Sequence, residues 1–228
     1  MTVDIKHLAI QTIKTEAAAI EKLASFIDDD FERCVTMLFN AKGRLIVTGI
    51  GKSAIIANKI VATLNSTGTP AIFMHAADAI HGDLGIIQPD DVVICLSKSG
   101  TTPEIKVLVP LIKSLGNKIV AIVSSTDSYL AQKADFVLKA TVEMEACPNN
   151  LAPTSSTTAQ LVIGDALAIC LLKLRGFTPA DFARVHPGGA LGKKLYMRVD
   201  DIFNPENPPV VSEDERIRPI ILEMTSKR

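Results

Sequence analysis

Asp91-Val-Val-Ile-Cys-Leu-Ser-Lys-Ser-Gly-Thr-Thr-Pro-Glu104 is the stretch that decides the architecture. Its first half, Asp91–Leu96, is a short apolar run rich in β-branched residues and reads as a buried strand. Its second half turns at once to Ser, Gly and Thr. Pro103 then stands at a favourable first helical position, so a helix is expected from about Pro103 to Leu115. Strand, hydroxyl-rich loop and helix together make the repeating unit of a doubly wound α/β domain. The same unit lies upstream, where Arg44–Thr48 is a strand ending in Gly-Ile-Gly and a helix runs from about Lys52 to Asn65. Ala71–Met74, Lys118–Val123 and Phe136–Lys139 supply three more strands. These runs barely alternate between apolar and polar, as expected when helices cover both faces of a parallel sheet. Ligands of such sheets bind at the carboxyl ends of the strands.

Around this frame, the first forty residues are helical in pattern, with Ile5, Leu8, Ala9, Ile13, Ala17, Ile20 and Leu23 at three- and four-residue steps. A long helix, about Ser156–Arg175, is apolar nearly all round and is expected to lie buried. Asp165 within it is expected to be a hydrogen-bonded core carboxylate. After about Leu195 the texture changes. Asn204–Pro209 is linker-like, Val210–Val211 could begin a strand, and Arg216–Thr225 could be a helix. We expect one large domain over 1–196 and a tail over 197–228 too short for a core of its own.

Composition narrows the function. Lys+Arg number 24 against 25 Asp+Glu in 228 residues, so no basic excess would drive nucleic-acid binding. Aromatic residues are 4% and Trp is absent, which disfavours a stacking platform for single strands. No uninterrupted apolar run approaches the length of a membrane span, and the first twenty residues are mixed polar rather than signal-like. The four cysteines are far apart with no CxxC pair, as in reduced thiols of a cytoplasmic protein.

Two strand-to-helix loops are built to hold an anion. Thr48-Gly49-Ile50-Gly51-Lys52-Ser53-Ala54 matches G-x-G-x-x-A, a weak pattern alone; it is not a Walker A loop, whose first glycine would fall at Ile46. Ser97–Thr102 is the stronger signal. A plain helix cap accounts for one hydroxyl, whereas Ser97, Ser99 and Thr102 together make a phosphate cradle at a helix N-terminus. A third hydroxyl cluster, Thr154–Thr158, opens the long helix. Just before it stands Glu145, beside apolar residues, a candidate general base with a raised pKa. His186, followed by Pro-Gly-Gly, sits on a rigid turn where imidazole can serve as acid or base. His81 could offer one metal ligand, but a partner at ligand spacing is lacking.

Taken together, TGIGKS (Thr48–Ser53), STGTP (Ser66–Pro70), HGDLG (His81–Gly85), SKSGTTPE (Ser97–Glu104), EACPNNLAPTSSTT (Glu145–Thr158), GDALA (Gly164–Ala168) and HPGGALGKKL (His186–Leu195) resemble a sugar isomerase (SIS) domain. The match is nearest the D-arabinose 5-phosphate isomerases of the capsule and lipopolysaccharide branch, and it extends to about residue 200. The resemblance implies a flavodoxin-like five-stranded parallel sheet with a helical N-terminal segment. It implies interconversion of D-ribulose 5-phosphate and D-arabinose 5-phosphate through an enediolate, supplying Kdo synthesis. Its catalytic set would be Lys52, Glu104, Glu145 and His186, with Ser53, Ser97, Ser99 and Thr102 on the substrate phosphate. Glu145 is the expected base, His186 the hydroxyl acid/base and Lys52 the oxyanion partner, although the two glutamates could exchange roles. Lys98 falls at a position expected to vary. No organic cofactor is required, and a transition metal such as zinc near His81 would inhibit.

The resemblance also implies a cytoplasmic homotetramer in which His186 reaches a neighbouring subunit's site. Residues 198–228 resemble only the opening of a CBS module. Regulation would then fall on the isomerase domain, with a downstream Kdo compound such as CMP-Kdo inhibiting near Lys52, Lys98, Lys193 and Lys194. Competing readings are a sugar-phosphate sensor, an isomerase of another phosphosugar, and an NAD enzyme. The last lacks an acidic residue at Met74-His75, where a ribose would need one.

Overall fold

The structure is a computed structural model and describes residues 3–189, 192, 193, 195, 198 and 206–227. The chain divides into two compact units, 1–177 and 178–228. The boundary expected at 196/197 lies outside the described residues.

The first unit holds five parallel strands, β1 (Leu45–Gly49), β2 (Ala71–His75), β3 (Val92–Ser97), β4 (Lys118–Val123) and β5 (Phe136–Lys139), in the order β2-β1-β3-β4-β5. The expected strands differ from these by no more than one residue at either end. Between them run α3 (Lys52–Ser66), α4 (Ala76–Ala79), α5 (Pro103–Ser114) and α6 (Tyr129–Lys133); α1 (Ile5–Leu23) and α2 (Asp29–Asn40) precede the sheet and α7 (Ser155–Leu174) follows it. Successive strand residues feed opposite cores. Leu45, Val47, Ile94, Leu96 and Ile122 pack with α2, α3 and α7, while Ile46, Val93, Cys95, Ile119 and Ala121 pack with α4, α5 and α6. Because both faces are dry, the strands need apolar residues at every position, which is why the runs do not alternate.

At the amino end of the sheet, Asp91 joins β1 to β3. Its carboxylate accepts from the Arg44 backbone N–H (2.7 Å), the Arg44 guanidinium (2.7 Å) and the Gln88 N–H (2.9 Å). Burial pushes the Asp91 pKa up, but these donors outweigh it and hold the carboxyl below its ordinary value. Cys34 and Cys95 are buried, which pushes both thiols up to about 12; Cys147 and Cys170 are half-buried, and all four are free.

Two expectations for the long helix fail. By length and composition α7 could cross a membrane, yet it buries only one face, including Ala159, Ile163, Gly164 and Leu167. Its other side carries Ile169, 54% exposed. Asp165 is not a core carboxylate: four residues before Ile169 on that same open side, it pairs with Lys59 at 2.5 Å. At Gly164 a Cβ would sit 2.3 Å from Ile60, so the missing side chain lets α3 and α7 approach closely.

The second unit contains α8 (Pro179–Val185), which opens with a capping box between Thr178 and Asp181, and α9 (Ile217–Ser226). His186 caps the carboxyl end of α8. Of the expected linker Asn204–Pro209, residues 204 and 205 lie outside the described residues, and 206–209 form neither helix nor strand.

Candidate active site

The chain runs outward from β1 to β2, then returns to place β3 on the other side of β1. Ligand clefts of open α/β sheets form at this reversal, and here the loops after β1 and β3 both meet it. In the first loop, Gly51 has φ +58°, a backbone conformation that favours glycine, with open space where a Cβ would be. Lys52 is exposed at the start of α3, and the next residue, Ser53, donates to Gln160 Oε1 on α7 at 3.1 Å.

In the second loop, Ser97 Oγ accepts from the Gly100 N–H at 3.0 Å, and Gly100 adopts φ +63° with Ser128 packed against its Cα. No side chain but hydrogen fits there. Thr102 is the N-cap residue of α5, yet its hydroxyl makes no cap bond and is a buried orphan. A helix start normally uses such an oxygen to satisfy its own N–H groups. This one is left for something else. Ser53, Ser97, Ser99 and Thr102, the four expected phosphate ligands, all line one cleft of about 320 Å³, together with Lys52.

Sequence reasoning missed the cleft's third wall. Ser156, Thr157 and Gln160 of α7 line it, and so does Lys98. The hydroxyl cluster at Thr154–Thr158 was the available signal. For Gln160 there was none, since only packing turns it inward: it is 1% exposed and its Nε2 is unpartnered.

Glu145 lies behind this wall, 3% exposed. Its Oε1 accepts from Ser156 Oγ (2.5 Å) and Lys98 Nζ (2.5 Å). Its Oε2 accepts from the Thr154 N–H (2.8 Å), the Ser156 N–H (3.1 Å) and Thr154 Oγ1 (3.2 Å), which seats the carboxylate on the N-terminus of α7. The expectation of a raised pKa is therefore wrong. Burial is the largest single effect and pushes it up, but the Lys98 and Ser156 bonds and the two backbone N–H groups together bring it down to about 2.

Glu104 is half-buried in the first turn of α5 and is not among the residues lining the cleft. His186 belongs to the second unit, where its ring stacks on Phe182 with centroids 3.9 Å apart. Its Nδ1 lies 3.0 Å from the Phe182 carbonyl oxygen. A carbonyl only accepts, so Nδ1 is the donor in this contact. His81 is exposed in a turn after α4, and no group of three His, Cys, Asp or Glu able to hold a metal occurs among the described residues.

The sequence profile of the SIS domain matches residues 37–170, which include both anion loops, Glu145 and most of α7. This chain belongs to the SIS-domain family. Relatives of this SIS domain include arabinose 5-phosphate isomerase KdsD of Pseudomonas aeruginosa, 50% identical over 98% of this chain and 69% of that protein. The probable arabinose 5-phosphate isomerase of Haemophilus influenzae is 46% identical over 90% of this chain, which spans 60% of that protein's length. Among solved structures, an Escherichia coli CFT073 protein in complex with arabinose 5-phosphate superposes with a TM-score of 0.79 at 40% identity, covering 82% of this chain and all of that one.

Proposed function

We propose that this SIS domain is an aldose–ketose isomerase that interconverts D-ribulose 5-phosphate and D-arabinose 5-phosphate. The observation that carries the reading is the cleft itself: two anion loops with an orphan Thr102 hydroxyl, backed by a buried carboxylate, in a chain half identical to a protein named for this reaction.

Ser53, Ser97, Ser99 and Thr102 grip the phosphate at the positive end of α5. A carboxylate, Glu145, takes the C1 proton of the ketose. The electrons of that C–H bond form the C1–C2 double bond of an enediolate, and Lys52 stabilises the oxygen that gains charge. Return of the proton to C2 gives the aldose. His186 moves protons between the oxygens, and Glu104 orients its partners. No redox step occurs, so the reaction needs no organic cofactor. A transition metal such as zinc at His81 would inhibit.

In this reading the aldose product would supply Kdo synthesis, and the protein would act in the cytoplasm. A homotetramer would let His186 complete a neighbour's site, so specific activity should fall on dilution to monomers. A downstream compound such as CMP-Kdo would inhibit at the cleft, where Lys52 and Lys98 supply positive charge. Lys193 lies in the second unit and Lys194 outside the described residues. Calorimetry without heat at millimolar CMP-Kdo would dispose of that.

The test of the activity is NMR in D₂O with D-ribulose 5-phosphate. Arabinose 5-phosphate carrying deuterium at C2 is the expected product, and Glu145→Gln should slow it by about 10²-fold or more. Binding without turnover would move the reading to a sugar-phosphate sensor or an isomerase of another phosphosugar.

A further inference from the structure

Two residues that line the cleft, Lys98 and Ser156, hold Glu145 Oε1, and of the two Lys98 has the long flexible stem. Lys98 lines the cleft and Glu145 does not, and the lysine side chain is 45% exposed while that of Glu145 is fully buried. The two carboxylate oxygens are held unequally. Oε2 has three donors, all from Thr154 and Ser156 at the start of α7, whereas Oε1 has only Ser156 Oγ and the Lys98 ammonium. Removing the ammonium therefore leaves Oε1 with the Ser156 hydroxyl alone, while the carboxylate stays anchored through Oε2.

Lys98 is also a member of the phosphate loop, between Ser97 and Ser99. Its backbone is fixed, since its carbonyl accepts from the Ser124 N–H at 3.1 Å. The ammonium at the end of its flexible stem is not, and it carries three donors that can be re-aimed.

We infer that Lys98 is a clamp on Glu145 that the substrate's phosphate releases. In the free protein its ammonium covers Oε1; a phosphate dianion seated among Ser97, Ser99 and Thr102 attracts the lysine more strongly than a single carboxylate charge does and draws it away. Oε1 then faces the substrate. Of the groups that hold the Glu145 pKa low, Lys98 is the largest, so its departure leaves burial less opposed and makes the carboxylate a stronger base. Lys98 is thus a positioning residue acting through Glu145. This deepens the isomerase reading and rests on it.

The clamp predicts that phosphate activates proton transfer even when it is not attached to the sugar. D-Ribulose without its phosphate, incubated in D₂O with the full chain, should exchange its C1 proton slowly. The proton leaves for Oε1 and a deuteron returns to the same carbon. Millimolar inorganic phosphite should raise the rate about tenfold or more, the scale of one charge-assisted hydrogen bond. In Lys98→Met the rate without phosphite should exceed wild type and phosphite should add nothing; Lys98→Arg should recover the stimulation. An equal stimulation factor in wild type and Lys98→Met overturns the proposal. So does no stimulation in a wild-type protein that turns over D-ribulose 5-phosphate, whereas failure with D-ribulose 5-phosphate itself overturns the isomerase reading instead.

Should Lys98→Met not fold, wild-type protein labelled with ¹³C at glutamate carboxyls provides the second measurement. At pH 7.5, where phosphite is a dianion, the Glu145 resonance, identified by its loss in Glu145→Gln, should shift on adding phosphite as the ammonium leaves Oε1. A resonance that phosphite does not move overturns the clamp.

Discussion

Glu145→Gln should lower stability by an amount that depends on pH, and the dependence follows from the bonds around the carboxylate. In the folded protein its pKa is about 2, against an ordinary value of 4.5. At 1.36 kcal/mol per pH unit, that difference contributes on the order of 3 kcal/mol at neutral pH. Lys98 is half-exposed, and solvent screening of its share brings the figure nearer about 2 kcal/mol. The folded pKa lies below the unfolded one. The contribution is therefore complete above pH 4.5 and disappears as pH falls from 4.5 towards 2. Glutamine carries no charge and adds a fixed cost, because with its carbonyl oxygen on the Thr154 and Ser156 N–H groups its amide N–H₂ meets the Lys98 ammonium in place of an acceptor. The gap between the two proteins should thus be widest at pH 7 and narrow by about 1–2 kcal/mol by pH 3. Asp28, Asp91, Asp127 and the other carboxylates with lowered pKa are common to both proteins and cancel. The sequence has no Trp, so urea unfolding is best followed by far-ultraviolet circular dichroism at pH 7, 5, 4 and 3. A gap that is the same at pH 7 and pH 3 would refute the ionic account of this site.

Two further outcomes follow from groups outside that pair. Arg44→Met strips the guanidinium from Asp91, whose side chain is 2% exposed, and leaves only backbone N–H donors. A loss of about 2–3 kcal/mol is expected by urea titration at pH 7, less than for a fully orphaned buried charge; a loss below the error of the titration would show the clasp to be unimportant. Gln160→Leu removes a buried amide with an unpartnered Nε2, so the melting temperature should hold or rise. KM for the sugar phosphate should nevertheless increase as the cleft loses a polar wall. A fall of several degrees with KM unchanged would make Gln160 a structural residue instead.

Much of this protein can be read from its local sequence, and the divide is physical. Strands buried on both faces leave continuous apolar runs, and the loops that follow them need glycine and small hydroxyl residues to bring backbone N–H groups to an anion. Both are properties of neighbouring residues, so the five-stranded sheet and the Ser97–Thr102 loop that lines the cleft were legible. The motif order from Thr48 to Leu195 likewise carried the resemblance to the SIS family. What local sequence could not contain is the environment made by residues far apart in the chain. Glu145 sits among apolar neighbours in sequence, which pointed to a raised pKa; in space it meets Lys98, 47 residues away, and the N-terminus of α7, and the sign reverses. Lys98 looked like a variable loop lysine until folding brought it onto that carboxylate. Asp165 looked internal because its helix is apolar all round, but only one face of α7 is covered, and Lys59 meets it on the other. Which glutamine faces a cleft, which carboxylate loses its water and which cation arrives beside it are set by packing between elements, and only the tertiary structure decided them.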